Sequence, residues 1–223
     1  ETPAVILGAD DPHLFLDIGA YYFGGGEYDL VKAREYFEKA EAIDATLFNL
    51  HYELARLNFI EGNFDNALLE INQELKFHPD NNYALYVRAL IYGYRNKSGD
   101  LDLAAEDFKN FLIFKPESWA GHNDLAWIYF TKGDYTKARD IALKGLENGN
   151  PHNPWLHNSL GVALMNLGFR YDARLHFEEA LQGFAILKPE DWGRAYPGNN
   201  PGAYQDGYDS VVSVIKKNIE LLK

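Results

Sequence analysis

Three histidines share one spacing. His51, His122 and His157 each stand three residues before a leucine, at Leu54, Leu125 and Leu160. Imidazole is the commonest metal ligand, so a shared Zn²⁺ is the first chemistry to weigh. Neighbouring helices lie roughly 8–10 Å apart, whereas zinc bonds are about 2 Å long. Imidazoles on successive helix pairs are therefore too far apart to share an ion, and the spacing reads as structural. Asp10-Asp11, Asp100 with Asp102, and Glu178-Glu179 offer paired carboxylates for acid/base work. The first two fall at loops or helix starts, where acidic groups favour the helix dipole. The third lies on a helix face, and nothing aims any pair at a common pocket. Gly24-Gly25-Gly26 lacks the Lys and Ser/Thr that a phosphate loop requires, and no nucleophile elbow or metalloprotease motif occurs. The expectation is a non-enzyme with no cofactor and no metal.

Composition narrows the partners. The chain has 223 residues, 47% hydrophobic and 24% charged, with a net charge of −12 and a pI near 5.0. A nucleic-acid binder needs a positive face to displace counterions. The longest basic run here is Lys216-Lys217, so nucleic acid is not expected, and a basic or apolar peptide is the natural partner. With no cysteine, disulfides and thiolate metal sites are excluded. No apolar run approaches the roughly 20 residues that span a bilayer. The first residue is Glu1 rather than Met, so a signal peptide or anchor could have been removed, and the compartment stays open.

The elements that must position these residues recur. Gly62, Gly99, Gly133 and Gly168 are each followed five residues on by alanine, at 67, 104, 138 and 173, and the glycines lie 37, 34 and 35 residues apart. A fixed period in this range marks a stacked repeat protein. Apolar stripes at three- and four-residue spacing predict two helices per period, each unable to hide its stripe alone. Ala55, Ala89, Ala126 and Gly161 keep the first helix of each pair small where it meets the alanine of the second. The boundaries expected are an extension over 1–11, helix pairs over 12–45, 47–80, 82–116, 118–151 and 153–188, a Gly/Pro/aromatic loop over 189–207 with Trp192, Tyr196 and Tyr204, and a terminal amphipathic helix over 208–223. The repeats argue for one continuous unit, with that helix as a cap on its open end.

These residues resemble the tetratricopeptide repeat, W-x2-L-G-x2-Y, then A-x3-F, then P, over 34 residues. Leu54, Ala55, Ala67, Ile71 and Pro79 match in the second pair; Ala89, Tyr92, Ala104, Phe108 and Pro116 in the third; Leu125, Ala126, Tyr129 and Ala138 in the fourth; Leu160, Gly161, Ala173 and Phe177 in the fifth. The resemblance implies an all-α, right-handed α-solenoid of about five helix pairs plus a C-terminal capping helix. It departs at Arg88, where the family has Leu, and at Asn58, where it has Tyr. Each must find a polar partner or reach water, because burial without one is costly.

The resemblance also implies that the first helix of each pair lines a concave groove. Counting along those helices selects Asn49, Tyr52, Arg56, Phe59, Tyr83, Tyr86, Leu90, Asn123, Trp127, Phe130, Trp155, Asn158 and Val162. Seven of these thirteen are aromatic, and aromatic anchors with amides between them suit peptide or helix binding. Family members that clamp acidic chaperone C-termini use Lys and Asn on this face. The matching positions here hold Asp17, Glu53, Val87, Asp124 and Ser159, so an EEVD-type peptide is not expected to bind tightly. The expected function is a non-enzymatic scaffold holding a peptide or helical segment in the aromatic groove. The alternatives are a homo-oligomer built through the terminal helix or repeat edges, cover of the groove by the C-terminal segment, and a sugar- or lipid-handling accessory.

Overall fold

The turn glycines set the frame. Gly62, Gly99, Gly133 and Gly168 take φ of +77°, +86°, +76° and +85°, a region costing other L-residues roughly 1–2 kcal/mol. Nothing lies within 4 Å of a Cβ built at any of them, so the requirement is conformational rather than steric. The computed structural model describes residues 11–188 and 200–223. Among these the chain is all-α: α1 Pro12–Tyr22, α2 Leu30–Ile43, α3 Leu50–Ile60, α4 Phe64–Phe77, α5 Asn82–Arg95, α6 Asp100–Phe114, α7 Trp119–Thr131, α8 Tyr135–Asn148, α9 Pro154–Asn166, α10 Arg170–Ile186 and, after a short 3₁₀ turn, α11 Tyr204–Leu221. Successive helices pack in pairs, α1 with α2, α3 with α4, α7 with α8 and α9 with α10, and α11 lies against α10. Residues up to 91 form one compact unit, and residues 92–188 with 202–223 form a second.

In the first unit, α1 begins at Pro12 behind Asp11, whose carboxylate accepts from the His13 N–H at 3.0 Å. A Cβ at Gly19 would come within 2.4 Å of the Phe37 ring, so glycine lets α1 and α2 close onto a core of Phe37, Leu50, Leu54 and Leu57. The start of α3 is capped from another helix. Asn49 takes a left-handed φ of 67° and makes no side-chain cap. Glu74 of α4, fully buried, accepts instead from the Asn49 N–H at 3.0 Å, the Tyr52 N–H at 3.3 Å and the Asn81 amide at 2.7 Å. A buried carboxylate needs such donors, and the dipole of α3 favours it there. Both departures from the repeat pattern find partners. Arg88 donates to Asn72 Oδ1 at 3.1 Å. Buried Asn58 donates to the Leu54 carbonyl at 3.0 Å and accepts from Arg34 at 3.2 Å.

In the second unit the lengthened turn before α6 is tied by charge. The Arg95 guanidinium grips both Asp100 oxygens at 2.8 Å, and the Lys97 N–H donates to the same carboxylate at 2.9 Å. These bonds, that from Arg95 foremost, hold the Asp100 carboxyl below its ordinary range. Ser118, Asp134 and Asn153 cap α7, α8 and α9 through their side chains. A Cβ at Gly161 would meet the Phe177 ring at 2.8 Å, which brings α9 onto α10 around Leu156, Leu160, Phe177 and Phe184. Helix α11 lies on α10, with Ile215 fully buried, Val211, Val212 and Ile219 beside it, and the Tyr208 hydroxyl donating to the Phe184 carbonyl at 3.0 Å. It starts at Tyr204, one turn before the apolar stripe that follows Gly207. Trp192 and Tyr196 of the preceding loop, and residues 1–10 of the extension, lie outside the described residues.

Candidate functional site

Helices α7 and α9 are the first helices of the fourth and fifth pairs. Trp127 and Phe130, three apart, share a face of α7; Asn158 and Val162, four apart, share a face of α9. Together with Ser159, Ala126 and Ala138 they line a cavity of about 210 Å³. Tyr94 packs against Trp127 with ring centroids 5.3 Å apart, and Tyr135 against Phe130 at 5.5 Å. The indole has room because position 93 is glycine, where a Cβ would come within 2.9 Å of it.

The polar groups beside this cavity are unevenly satisfied. Ser159 donates to Asn123 Oδ1 at 2.7 Å, and the Asn123 amide donates to Asp124 at 3.1 Å. Asn158 Oδ1 is buried and has no hydrogen-bond partner among the described residues. An unmet buried acceptor costs about 1–3 kcal/mol, and here it belongs to a residue that lines a mostly apolar recess.

The other groove positions are placed differently. Trp155 stacks on Trp119 at 4.7 Å and meets Phe184 edge-on at 5.3 Å, inside the packing of the second unit. In the first unit, Arg56 holds both Glu53 oxygens at 3.0 and 2.8 Å, and its guanidinium lies 4.8 Å from the Phe23 ring centre and 5.6 Å from that of Tyr52. Burial raises the Glu53 carboxyl and the Tyr52 hydroxyl above their ordinary values, with Arg56 opposing both. Phe59 is buried beside Phe64 at 5.7 Å, and Leu90 is buried. Tyr86 is half-buried, and Tyr83 is 48% exposed. Asn49 belongs to the Glu74 cap.

The carboxylate pairs are split among separate cations: Asp100 to Arg95, Asp102 to Lys132, and Glu178 to Arg174. The three histidines are buried, each fixed by one backbone carbonyl: Ala45 for His51, Ser118 for His122 and Pro151 for His157, all at 2.9 Å. Their remaining contacts run across a helix pair rather than between histidines of successive pairs. His51 Nδ1 lies 2.7 Å from Glu70, and His157 Nδ1 lies 3.0 Å from His176 Nδ1. The hydrogen bond to Glu70 raises the His51 pKa, whereas burial, then His157, lowers that of His176. Burial likewise lowers that of His122. Both pairings join residues nineteen apart, a separation that a search for matching residue types along the repeat passes over.

A family model for the tetratricopeptide repeat matches residues 96–154. No curated protein gives a significant sequence match. Among solved structures, the chain resembles MamA from Desulfovibrio magneticus (TM-score 0.67, 16% identity, over 79% of this chain and 96% of that one). It also resembles a thermophilic TPR protein of Thermus thermophilus (0.64, 19%, 90% and 98%). A third is YrrB, a TPR protein with an unusual peptide-binding site (0.63, 12%, 82% and 91%). The sequence match places tetratricopeptide repeats over 96–154, and the helices before and after that segment share the fold of the solved tetratricopeptide repeat structures.

Proposed function

We propose that the chain is a non-enzymatic interaction scaffold that holds an extended or helical protein segment against α7 and α9. The tetratricopeptide fold is a protein-interaction fold. The observation that carries the finer reading is the Trp127–Phe130–Val162 cavity, lined also by Asn158, whose buried Oδ1 has no partner among the described residues. In this reading an apolar side chain of the partner fills the recess, and a backbone N–H beside it donates to Asn158. The net charge of −12 favours a segment with basic residues flanking the apolar one. Asn123, bonded to Ser159 of the cavity wall, is proposed as a flanking contact. Tyr83 and Tyr86 are proposed as contacts of the first unit in its own right. Tyr52, Arg56, Phe59 and Leu90 serve mainly to hold the helices of that unit, and Trp155 serves to hold α9 in the second.

The test is selection from a displayed random peptide library, followed by calorimetry with the purified full chain. Enrichment of peptides with an apolar anchor and basic flanks, and loss of their binding in Trp127→Ala with helical content unchanged, are expected. Selected peptides that bind Trp127→Ala and Asn158→Ala as well as the parent chain would refute the site. A second reading rests on Val214 and Leu221, which are 52% and 61% exposed and seven residues apart on one face of α11. A second copy could cover that stripe, and light scattering over a dilution series reads it as a mass that rises with concentration.

A further inference from the structure

Within the first unit, three helices in succession bring one ligating side chain each to a common point. Glu41 of α2, His51 of α3 and Glu70 of α4 offer ligand atoms that all lie within 4.8 Å of one another. His51 is buried and both carboxylates are half-buried. The imidazole is oriented from behind: its Nε2–H donates to the Ala45 carbonyl at 2.9 Å, and its ring stacks on Phe77 at 5.8 Å. A carbonyl and a carboxylate only accept, so the ring donates through both nitrogens, from Nε2–H to Ala45 and from Nδ1–H to Glu70 Oε2 at 2.7 Å, and a metal ion would take the place of the Nδ1 proton. An imidazole held by a backbone carbonyl through one nitrogen, with the other presented to carboxylates, is the outer support typical of metal-ligating histidines. Glu41 makes no hydrogen bond among the described residues, and Glu70 bonds only to His51.

We propose that Glu41, His51 and Glu70 form a site for a divalent transition-metal ion, with Zn²⁺ the best fit. One imidazole and two carboxylates suit zinc, whose bonds are about 2.0–2.2 Å long. Three protein ligands leave one position of a tetrahedron for water or for a partner's side chain. The ion would join the second helix of the first pair to both helices of the second and act as a staple in the first unit. The equivalent place in the second unit makes a natural control: His157 faces His176 there, and among the described residues no third ligating group joins them to form such a cluster.

The experiment is calorimetric titration of the full chain with ZnCl₂ in a non-chelating buffer, on the parent and on Glu41→Gln, Glu70→Gln and His176→Gln. Glu41→Gln keeps the imidazole and its Ala45 bond in place, so its fold is not at risk. One saturable site is expected, weakened roughly tenfold or more by either glutamate substitution and unchanged by His176→Gln. A melt at a hundredfold excess over Kd should rise by about 5 °C in the parent and not in Glu41→Gln. Failure to saturate, affinity unchanged in Glu41→Gln, or loss of the site in His176→Gln would each overturn the proposal. None of these readouts involves the peptide groove, so the two proposals fail separately.

Discussion

Arg56 in the first unit and Trp127 in the second follow the same repeat alanine, Ala55 and Ala126. Arg56 is consumed locally: Glu53 takes its hydrogen bonds, and Phe23 and Tyr52 flank its guanidinium plane. Trp127 is supported on one side by Tyr94 and faces a cavity with the other. Beside it, Asn158 carries an acceptor that no described neighbour meets. Both residues were selected by one helical count. What separates them is whether the surrounding side chains already satisfy them.

The sharpest way to break this comparison is to remove each residue. Arg56→Ala leaves Glu53 half-buried without its cation and opens the ring cluster. A loss of about 3 kcal/mol in stability is expected from urea unfolding, with no direct loss of peptide binding. Trp127→Ala should do the reverse: calorimetry with a selected peptide should show an affinity loss of about 2–3 kcal/mol, while the circular dichroism spectrum is kept. Asn158→Leu gives a smaller effect with a distinctive sign. It replaces an unmet acceptor by an apolar group of similar size, so stability should rise by about 1 kcal/mol while peptide affinity falls. A variant that loses stability would mean that Asn158 is already satisfied in the free protein.

The histidines supply the smallest effect. His176 has its pKa lowered, so the unfolded chain binds more protons below its ordinary value near 6.5. Its contribution is therefore complete above about pH 6.5 and is lost as the pH falls through the lowered folded value. His51, whose pKa is raised, acts in the opposite sense, so the test is the difference: between about pH 7.5 and 5.5 acid should lower the urea midpoint of the parent relative to that of His176→Gln. An equal fall in both would assign the acid sensitivity elsewhere, with His122 the first candidate because burial lowers its pKa as well.

The architecture was legible because it rests on backbone rules. The turn glycines must take positive φ, and the alanines five residues on must stay small, so both leave a period in the sequence. Polar departures were readable for the same reason: Asn58 and Arg88 stand in apolar positions and need partners, which Leu54, Arg34 and Asn72 supply. Helical counting also placed Trp127, Phe130 and Asn158 on the faces that meet at one cavity. It did not foresee that Trp155 would turn into Trp119 and Phe184, or that Phe59 and Leu90 would be buried, because a face is wider than a side chain's choice of rotamer. Nor did it see Glu41, His51 and Glu70 together, since three helices at separations of 10 and 19 residues leave no repeat signal. The start of α11 was hidden by Gly207, which a helix tolerates at a modest loss of stability.

Ala126 and Ala138, both buried, line the cavity, and they are the two repeat residues whose small size lets α7 lie against α8. The recess consequently cannot be recut at these two positions: any larger residue there would prise the pair apart. Trp127, Phe130 and Val162, which line the same recess, are only half-buried, although Trp127 packs on Tyr94, Phe130 on Tyr135 and Val162 on the core. If the recess binds as proposed, its preference would change more readily at positions 127, 130 and 162 than at the two alanines.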